Sequence, residues 1–192
     1  MNNPWKILSS KEIYENPWIR LTEYEVINPG GGNGTYGKVH FKNRAVGVVP
    51  IDNDGNTWLV GQYRFTLGEH SWEIPEGGAP EGEEPLACAQ RELLEEAGLT
   101  ARTWKMLSKI HTSNSVTDET GWIFLATDIT EGVNKPEESE ADLKVMKLPL
   151  SEAVTMILEG KITDAMSIAG LLMVERLLPG LRQVQPPGPN ID

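Results

Sequence analysis

The sequence is poor in cysteine, in positive charge and in long apolar runs. Its single cysteine, Cys88, excludes an internal disulfide, so a reducing cytoplasm is the expected compartment. No stretch of about 18 apolar residues is present, which argues against a membrane span. The first residues also lack the charged and then apolar segments of a signal peptide. We therefore expect a cytoplasmic protein that does not enter a membrane.

Positive charge is the scarcer sign. Lysine and arginine number 17 against 28 aspartates and glutamates, which gives a formal net charge of -11. Nonspecific nucleic-acid binding relies on lysine and arginine to neutralise phosphates, so this balance argues against a nucleic-acid partner. A small phosphorylated substrate is still compatible with the charge, because bound cations or a few placed arginines can neutralise its phosphates locally.

The strand and helix signals divide the chain into three expected parts. Residues 1–43 alternate apolar and polar side chains in WIRLTEYEVIN and again in GKVHFKN, and they predict a small N-terminal β sub-domain. Residues 44–180 mix strand and helix patterns and predict a layered domain of the α/β or α+β class. Residues 181–192 are expected to form a loose tail.

Local signals within residues 44–180 predict individual elements. The apolar run AVGVVPI, the turn sequence DNDGN and the run TWLVGQYRF together predict a buried hairpin. A helix over LACAQRELLEEA has Pro85 suited to its first turn and Gly98 suited to the left-handed residue that ends it. Two more helices close the chain, and Thr163 is the expected cap of the second.

The helix that follows Pro85 carries a cluster of acidic residues. Glu92, Glu95 and Glu96 stand at the i, i+3 and i+4 positions and therefore share one face. Clustered carboxylates repel one another unless a cation lies among them, and an all-oxygen ligand set suits Mg²⁺ or Mn²⁺. A solvated acidic face is the alternative. The glycine- and proline-rich loop before the helix favours a ligand site, because backbone groups can come close to a ligand there.

The spacing of these residues matches a known motif. Gly77, Glu83 and the run from Arg91 to Leu99 (RELLEEAGL) reproduce the full Nudix box, so the sequence resembles the Nudix hydrolases. The resemblance implies an α/β fold, a Nudix α/β/α sandwich with a mixed sheet, preceded by a small N-terminal antiparallel strand unit. It also implies metal-dependent hydrolysis of a nucleoside diphosphate linked to another group, carried out by the domain at residues 44–180.

The resemblance also assigns roles within the box. It implies that Glu92 and Glu96 are the principal metal ligands, and that Glu95 is a further ligand or orients them. The backbone carbonyl of Glu76 would complete the set around Mg²⁺ or Mn²⁺. Arg91 would be structural, bridging to Glu83 rather than touching substrate.

Outside the box, the order of VGQYR, SWEIPEGG and EGKITDAMSIAGL looks like that of the ADP-ribose and nucleoside diphosphate sugar pyrophosphatases. This resemblance implies a homodimer in which the N-terminal strands contribute to the interface and the partner subunit helps to form the nucleotide site. Arg64 would hold diphosphate oxygens, with a surface ion pair as the alternative. Trp18, Tyr14 and Trp72 are candidates to stack on the base, with core packing as the alternative for each.

The general base is expected on a loop after the box. In similar enzymes it is a glutamate, and PEESEADLKV supplies Glu140 as the first candidate and Glu138 as the second. Glu119 is another loop carboxylate, suited to a metal or to the terminal sugar. Ser113 is followed by Asn114 instead of the Pro-Gly pair common in ADP-ribose-type members, which leaves GDP-mannose open as a substrate beside ADP-ribose.

Two other functions are compatible with the resemblance. One is a domain that binds a nucleotide sugar without cleaving it, and the presence of every box glutamate argues against it. The other is a Nudix enzyme for dinucleoside polyphosphates or coenzyme A. The N-terminal strand unit and the Gln-Tyr-Arg strand end favour nucleotide sugars, because both are features of the resemblance to the sugar pyrophosphatases.

Overall fold

A computed structural model describes residues 2–134 and 142–178 of the chain. Within these residues it contains ten strands and three helices. In chain order they are β1 (Lys6–Glu15), β2 (Ile19–Ile27), β3 (Asn33–Phe41), β4 (Arg44–Pro50), β5 (Asn56–Arg64), β6 (Glu69–Glu73), β7 (Glu76–Ala79), α1 (Pro85–Ala97), β8 (Leu99–His111), β9 (Thr120–Glu131), β10 (Lys144–Pro149), α2 (Leu150–Leu158) and α3 (Ala165–Leu177). None of the helices in these ranges is both long enough and apolar enough to cross a bilayer.

The strands form three sheets. β1, β2 and β3 make an antiparallel N-terminal sheet, and β10, β5 and β6 make a second antiparallel sheet. The third sheet has the order β7-β4-β9-β8 and is mixed, because β4 runs parallel to β9 while the other pairs are antiparallel. The predicted α/β class, with a mixed sheet after an antiparallel strand unit, is confirmed.

The predicted hairpin of β4 and β5 is wrong. The turn between them forms as expected: an oxygen of Asp52 accepts hydrogen bonds from the N–H groups of Asp54 at 2.9 Å and Asn56 at 2.8 Å. The two strands then enter different sheets. Both strands are almost wholly buried, so the backbone of each needs hydrogen-bond partners along both of its edges. β4 pairs with β7 and β9, whereas β5 pairs with β10 and β6. A turn signal predicts that the chain reverses, not that its flanking strands pair.

Helices cover both faces of the mixed sheet. Val46 and Val48 of β4 pack in one apolar cluster with Leu93 of α1, whereas Val49 belongs to a second cluster that includes Leu171 of α3. All five side chains are fully buried. This alternation along β4 follows from the two-residue period of a strand and places α1 and α3 on opposite faces.

The helix ends follow the sequence at α1 and depart from it at α3. Pro85 occupies the first turn of α1, and Gly98 ends the helix in the left-handed conformation at φ 68°. At α3 the prediction that Thr163 is the cap is wrong. Asp164 is the cap, and its carboxylate accepts a hydrogen bond from the N–H of Ser167 at 2.6 Å. Both residue types cap helices, but α3 begins at Ala165, one residue later than predicted, so Asp164 rather than Thr163 occupies the cap position.

Candidate active site

Glu92 and Glu96 are buried where α1 packs against β7. Glu96 is 0% exposed and Glu92 is 7% exposed, both unusual for carboxylates. The N–H of Glu76 donates to Oε2 of Glu96 at 2.8 Å. A Cβ at Gly77 would lie 2.1 Å from Oε1 of Glu92, so only glycine leaves room for this carboxylate against the backbone. The position of the Glu92 carboxylate therefore requires glycine at this position of the box.

Glu76 places a further carboxylate beside this pair. Its Oε1 lies 3.2 Å from Nη2 of Arg64, while its Oε2 is buried and has no hydrogen-bond partner among the described residues. Burial raises the pKa of Glu76 well above its ordinary value, the carboxylates of Asp164 and Glu73 raise it further, and Arg64 opposes them. The local environment is short of positive charge.

Arg91 forms ion pairs with three glutamates of the box. Its guanidinium lies 3.1 Å from Glu83, 2.9 Å from Glu95 and 2.7 Å from Glu92. Glu83 is the main reason that the pKa of Arg91 is raised, and Arg91 in turn lowers the pKa of Glu83. The bridge from Arg91 to Glu83 is therefore formed as the resemblance implies, and the same guanidinium fixes two of the three helix carboxylates.

Arg64 is held by a second buried carboxylate, which the sequence analysis did not identify. Its Nε donates to both oxygens of Glu73 at 3.0 Å, and Nη2 contacts the same carboxylate. Burial alone would lower the pKa of Arg64, but Glu73 and Glu76 raise it above the ordinary value. Glu73 is 3% exposed. The available signal was a charged residue inside the otherwise apolar pattern of SWEIP.

A cavity of about 590 Å³ lies beside these groups. Its lining includes the predicted residues Trp18, Arg64, Glu76 and Glu119, together with Phe41, Arg44, Thr112 and Asp164, which the sequence analysis did not single out. Trp18 is 66% exposed and lies immediately before β2. The hydroxyl of Thr112 donates to Oε2 of Glu119 and holds that carboxylate at the cavity wall.

Two family models match the chain. One, described as the NUDIX domain, matches residues 41–166, and the other, described as the nucleoside diphosphate sugar hydrolase N-terminal domain, matches residues 5–39. The chain belongs to the Nudix hydrolase family. The match includes the whole of the box, from Gly77 to Leu99, and the carboxylate cluster built on it.

This Nudix hydrolase has relatives along nearly its full length. It is 38% identical over 186 residues to the ADP-ribose pyrophosphatase of Mycobacterium tuberculosis, which covers 95% of this chain and 88% of that protein. The ADP-ribose pyrophosphatase of Bacillus subtilis is 30% identical over 161 residues, covering 83% and 86%. A crystal structure of an ADP compounds hydrolase superposes with a TM-score of 0.81 at 22% identity and covers 94% of this chain and 97% of that one. The last comparison shows the shared fold.

The remaining predicted residues of the Nudix hydrolase lie in three places. Trp72 packs against the apolar core, with its ring 5.3 Å from that of His70, and is not among the residues that line the cavity. Tyr14 lies on β1, which is exposed along its length. Glu138 and Glu140 lie outside the described residues.

The carboxylate cluster fits a divalent cation by its donors and its charge. Within residues 2–134 and 142–178, no three His, Cys, Asp or Glu side chains are set together as a preformed metal site. Glu92 and Glu95 instead form ion pairs with Arg91. The cluster nevertheless offers only oxygen donors, including the buried Oε2 of Glu76. Six carboxylates surround two guanidiniums: Glu73, Glu76, Glu83, Glu92, Glu95 and Glu96 around Arg64 and Arg91. A hard cation would offset this excess negative charge.

Proposed function

We propose that this Nudix hydrolase cleaves the diphosphate bond of nucleoside diphosphate sugars to give a nucleoside monophosphate and a sugar phosphate. ADP-ribose is the first candidate substrate and GDP-mannose the second. The observation that carries the proposal is the cavity that joins Arg64 and Glu76 to Trp18 and Glu119. The match to a sugar-hydrolase N-terminal model and the names of the two bacterial relatives support the same substrate class.

The cavity suits a substrate with a charged centre and two different ends. Its volume of about 590 Å³ lies within the range that holds drug-sized ligands. The exposed ring of Trp18 offers a face for stacking with a base, and Arg64 offers donors for diphosphate oxygens. Glu119 and Thr112 lie together on the cavity wall, where they are suited to sugar hydroxyls.

Glu76, Glu92, Glu95 and Glu96 are the residues that would hold Mg²⁺ or Mn²⁺ in this proposal. Such a cation, when bound, neutralises diphosphate oxygens and lowers the pKa of a water. The protein's own contribution is to hold the carboxylates near one another through ion pairs and a hydrogen bond. Arg91 orients Glu92 and Glu95, and the N–H of Glu76 orients Glu96. Arg64 donates to the diphosphate and stabilises charge on the leaving phosphate.

The proton of the attacking water needs an acceptor. We keep Glu140 as the first candidate and Glu138 as the second, with Glu119 as the alternative on the cavity wall. The variant E140Q is expected to cut turnover strongly while leaving substrate affinity nearly unchanged. Normal turnover by that variant would transfer the role to Glu138 or Glu119.

We also propose that the enzyme is a cytoplasmic homodimer assembled through its N-terminal sheet. β1 presents Ile7 at 62%, Leu8 at 58% and Ile13 at 47% exposure, which is a large apolar content for an edge strand. A second copy that covers this strand would remove both the apolar surface and the free edge. Sedimentation that shows only monomer at micromolar concentration would contradict the homodimer and leave the hydrolytic proposal intact.

A substrate panel tests the proposed function. ADP-ribose, GDP-mannose, a diadenosine polyphosphate and coenzyme A are each incubated with the enzyme in Mg²⁺ and in EDTA, and the products are separated by chromatography. We expect ADP-ribose and GDP-mannose to yield a nucleoside monophosphate in the samples with Mg²⁺ and not in those with EDTA. Preferential cleavage of either of the last two would move the enzyme to another Nudix substrate class. Binding of ADP-ribose without cleavage of any compound would mark a sensor.

A further inference from the structure

The loop between β8 and β9, residues 112–119, lies along the outer edge of β3. The N–H of Val39 donates to the carbonyl of Val116 at 2.9 Å, and the N–H of Asp118 donates to the carbonyl of Val39 at 3.2 Å. The hydroxyl of Tyr36 donates to the carbonyl of Ser115 at 2.6 Å. The N-terminal sheet therefore holds a loop that belongs to the catalytic domain, over a separation of more than 75 residues along the chain.

The side chain of Asp118 contacts three residues of β3. Its carboxylate lies 3.2 Å from Nζ of Lys38 and 2.9 Å from Nδ1 of His40, and it accepts a hydrogen bond from the N–H of Phe41 at 3.3 Å. Partial burial would raise the pKa of Asp118, but the hydrogen bonds from His40 and Lys38 lower it overall. All the donors come from β3, so one carboxylate spans the end of that strand.

The residue after Asp118 faces the cavity. Glu119 lines the 590 Å³ cavity, and Thr112, at the other end of the loop, donates to its carboxylate. Asp118 is not among the residues that line this cavity. Asp118 and Glu119 are neighbours along the chain, so the contacts of Asp118 with β3 restrain the backbone from which the Glu119 side chain extends.

We propose that Asp118 is a positioning residue that fixes the loop at 112–119 and thereby sets the affinity of the site for the sugar end of the substrate. The inference rests on the proposed function, because it assigns the Glu119 wall to the sugar. A loop that is fixed in advance loses little conformational freedom on binding, whereas a released loop reaches its binding conformation only part of the time. The apparent affinity falls by that fraction.

The variant D118A tests the inference, with D54A as the matched control. Asp54 is exposed in the turn between β4 and β5, so D54A makes the same substitution away from the cavity. For D118A we expect KM for ADP-ribose to rise about tenfold, with kcat within about twofold, because the loop's competent fraction falls while the carboxylates of α1 and β7 stay in place. D118N keeps an acceptor for the N–H of Phe41, so its KM for ADP-ribose is expected to lie between those of D118A and the wild type.

Hydrogen exchange supplies a readout that does not depend on turnover. In D118A we expect faster amide exchange across residues 112–119 and unchanged exchange across α1. If D118A folds poorly, Y36F replaces it, because that variant removes only the hydroxyl that donates to Ser115. We expect Y36F to show the same pattern with smaller changes.

Three results would overturn the inference. They are wild-type KM in D118A, unchanged exchange across residues 112–119, and a fall in kcat without a rise in KM, which would give the loop a chemical role instead. If the wild-type enzyme does not cleave ADP-ribose or GDP-mannose, the proposed function fails instead. The exchange experiment then still decides whether Asp118 holds the loop.

Discussion

The backbone N–H of Glu76 and the carboxylate of Glu96 are joined by a hydrogen bond of 2.8 Å. Glu76 begins β7 and Glu96 lies in the last turn of α1, so this contact closes the loop between them around the carboxylate cluster. A hydrogen bond to a charged acceptor is among the stronger kinds in proteins, and this one is shielded because Glu96 is fully buried. The geometry of the cluster therefore depends on how closely β7 approaches the helix.

The variant G77A tests this close approach. Its new methyl group would lie 2.1 Å from Oε1 of Glu92, so that carboxylate must move. We expect Mg²⁺-dependent turnover to fall about 10–100-fold, the usual effect of disturbing the groups that orient metal ligands. The control is G37A on β3, where a Cβ would meet nothing within 4 Å. If G77A turned over substrate at the wild-type rate, Mg²⁺-dependent turnover would not depend on the position of the Glu92 carboxylate.

The pairing of Arg64 with Glu73 leads to a second prediction. R64A leaves a carboxylate that is 3% exposed without its main partner. Loss of one partner of a buried pair costs about 3–5 kcal/mol, and because Arg64 is itself 33% exposed we expect about 2–3 kcal/mol in urea denaturation. The double variant R64A/E73Q removes the stranded charge and is expected to recover at least half of this loss.

Turnover by the same double variant separates the two roles of Arg64. If its guanidinium binds the diphosphate, R64A/E73Q regains stability but not activity. Recovery of both stability and turnover would mean that Arg64 only neutralises Glu73, and the diphosphate contact would have to be abandoned.

The raised pKa of Glu76 predicts a pH dependence in the absence of metal. When the pH is below 4.5, the ordinary pKa of a glutamate, the Glu76 carboxyl is protonated in both the folded and the unfolded protein. When the pH rises above 4.5, the carboxyl ionises first in the unfolded chain, because burial keeps it neutral in the folded protein. The contribution of Glu76 to stability is therefore lost as the pH rises. In EDTA, we expect the wild type to lose stability relative to E76Q as the pH rises above 4.5. If the difference in stability between the wild type and E76Q did not change with pH, the raised pKa of Glu76 would be contradicted.

The sequence predicted the parts of the site that are local along the chain. The i, i+3 and i+4 spacing of Glu92, Glu95 and Glu96, the ends of α1 and the bridge from Arg91 to Glu83 all lie within one short segment. Helical periodicity and the box motif were enough to identify them. Glu96 was thus identified without knowledge of the sheets.

The parts of the site that depend on strand pairing were not predicted. Glu73 meets Arg64 because β5 and β6 pair, and Asp164 reaches the cavity because α3 packs on the mixed sheet. The contact of Asp118 with β3 joins residues 77 or more apart. No local pattern encodes such long-range contacts, and the mistaken hairpin of β4 and β5 has the same cause.

The most direct test of the whole account is the fate of ADP-ribose incubated with wild-type enzyme and with E96Q in Mg²⁺, followed by chromatography. Glutamine can still accept the hydrogen bond from the N–H of Glu76, so E96Q is expected to fold normally. The account predicts equal amounts of AMP and ribose 5-phosphate from the wild type, none in EDTA, and a rate at least about 100-fold lower for E96Q. Intact ADP-ribose with the wild type, or equal rates for the two proteins, would contradict it.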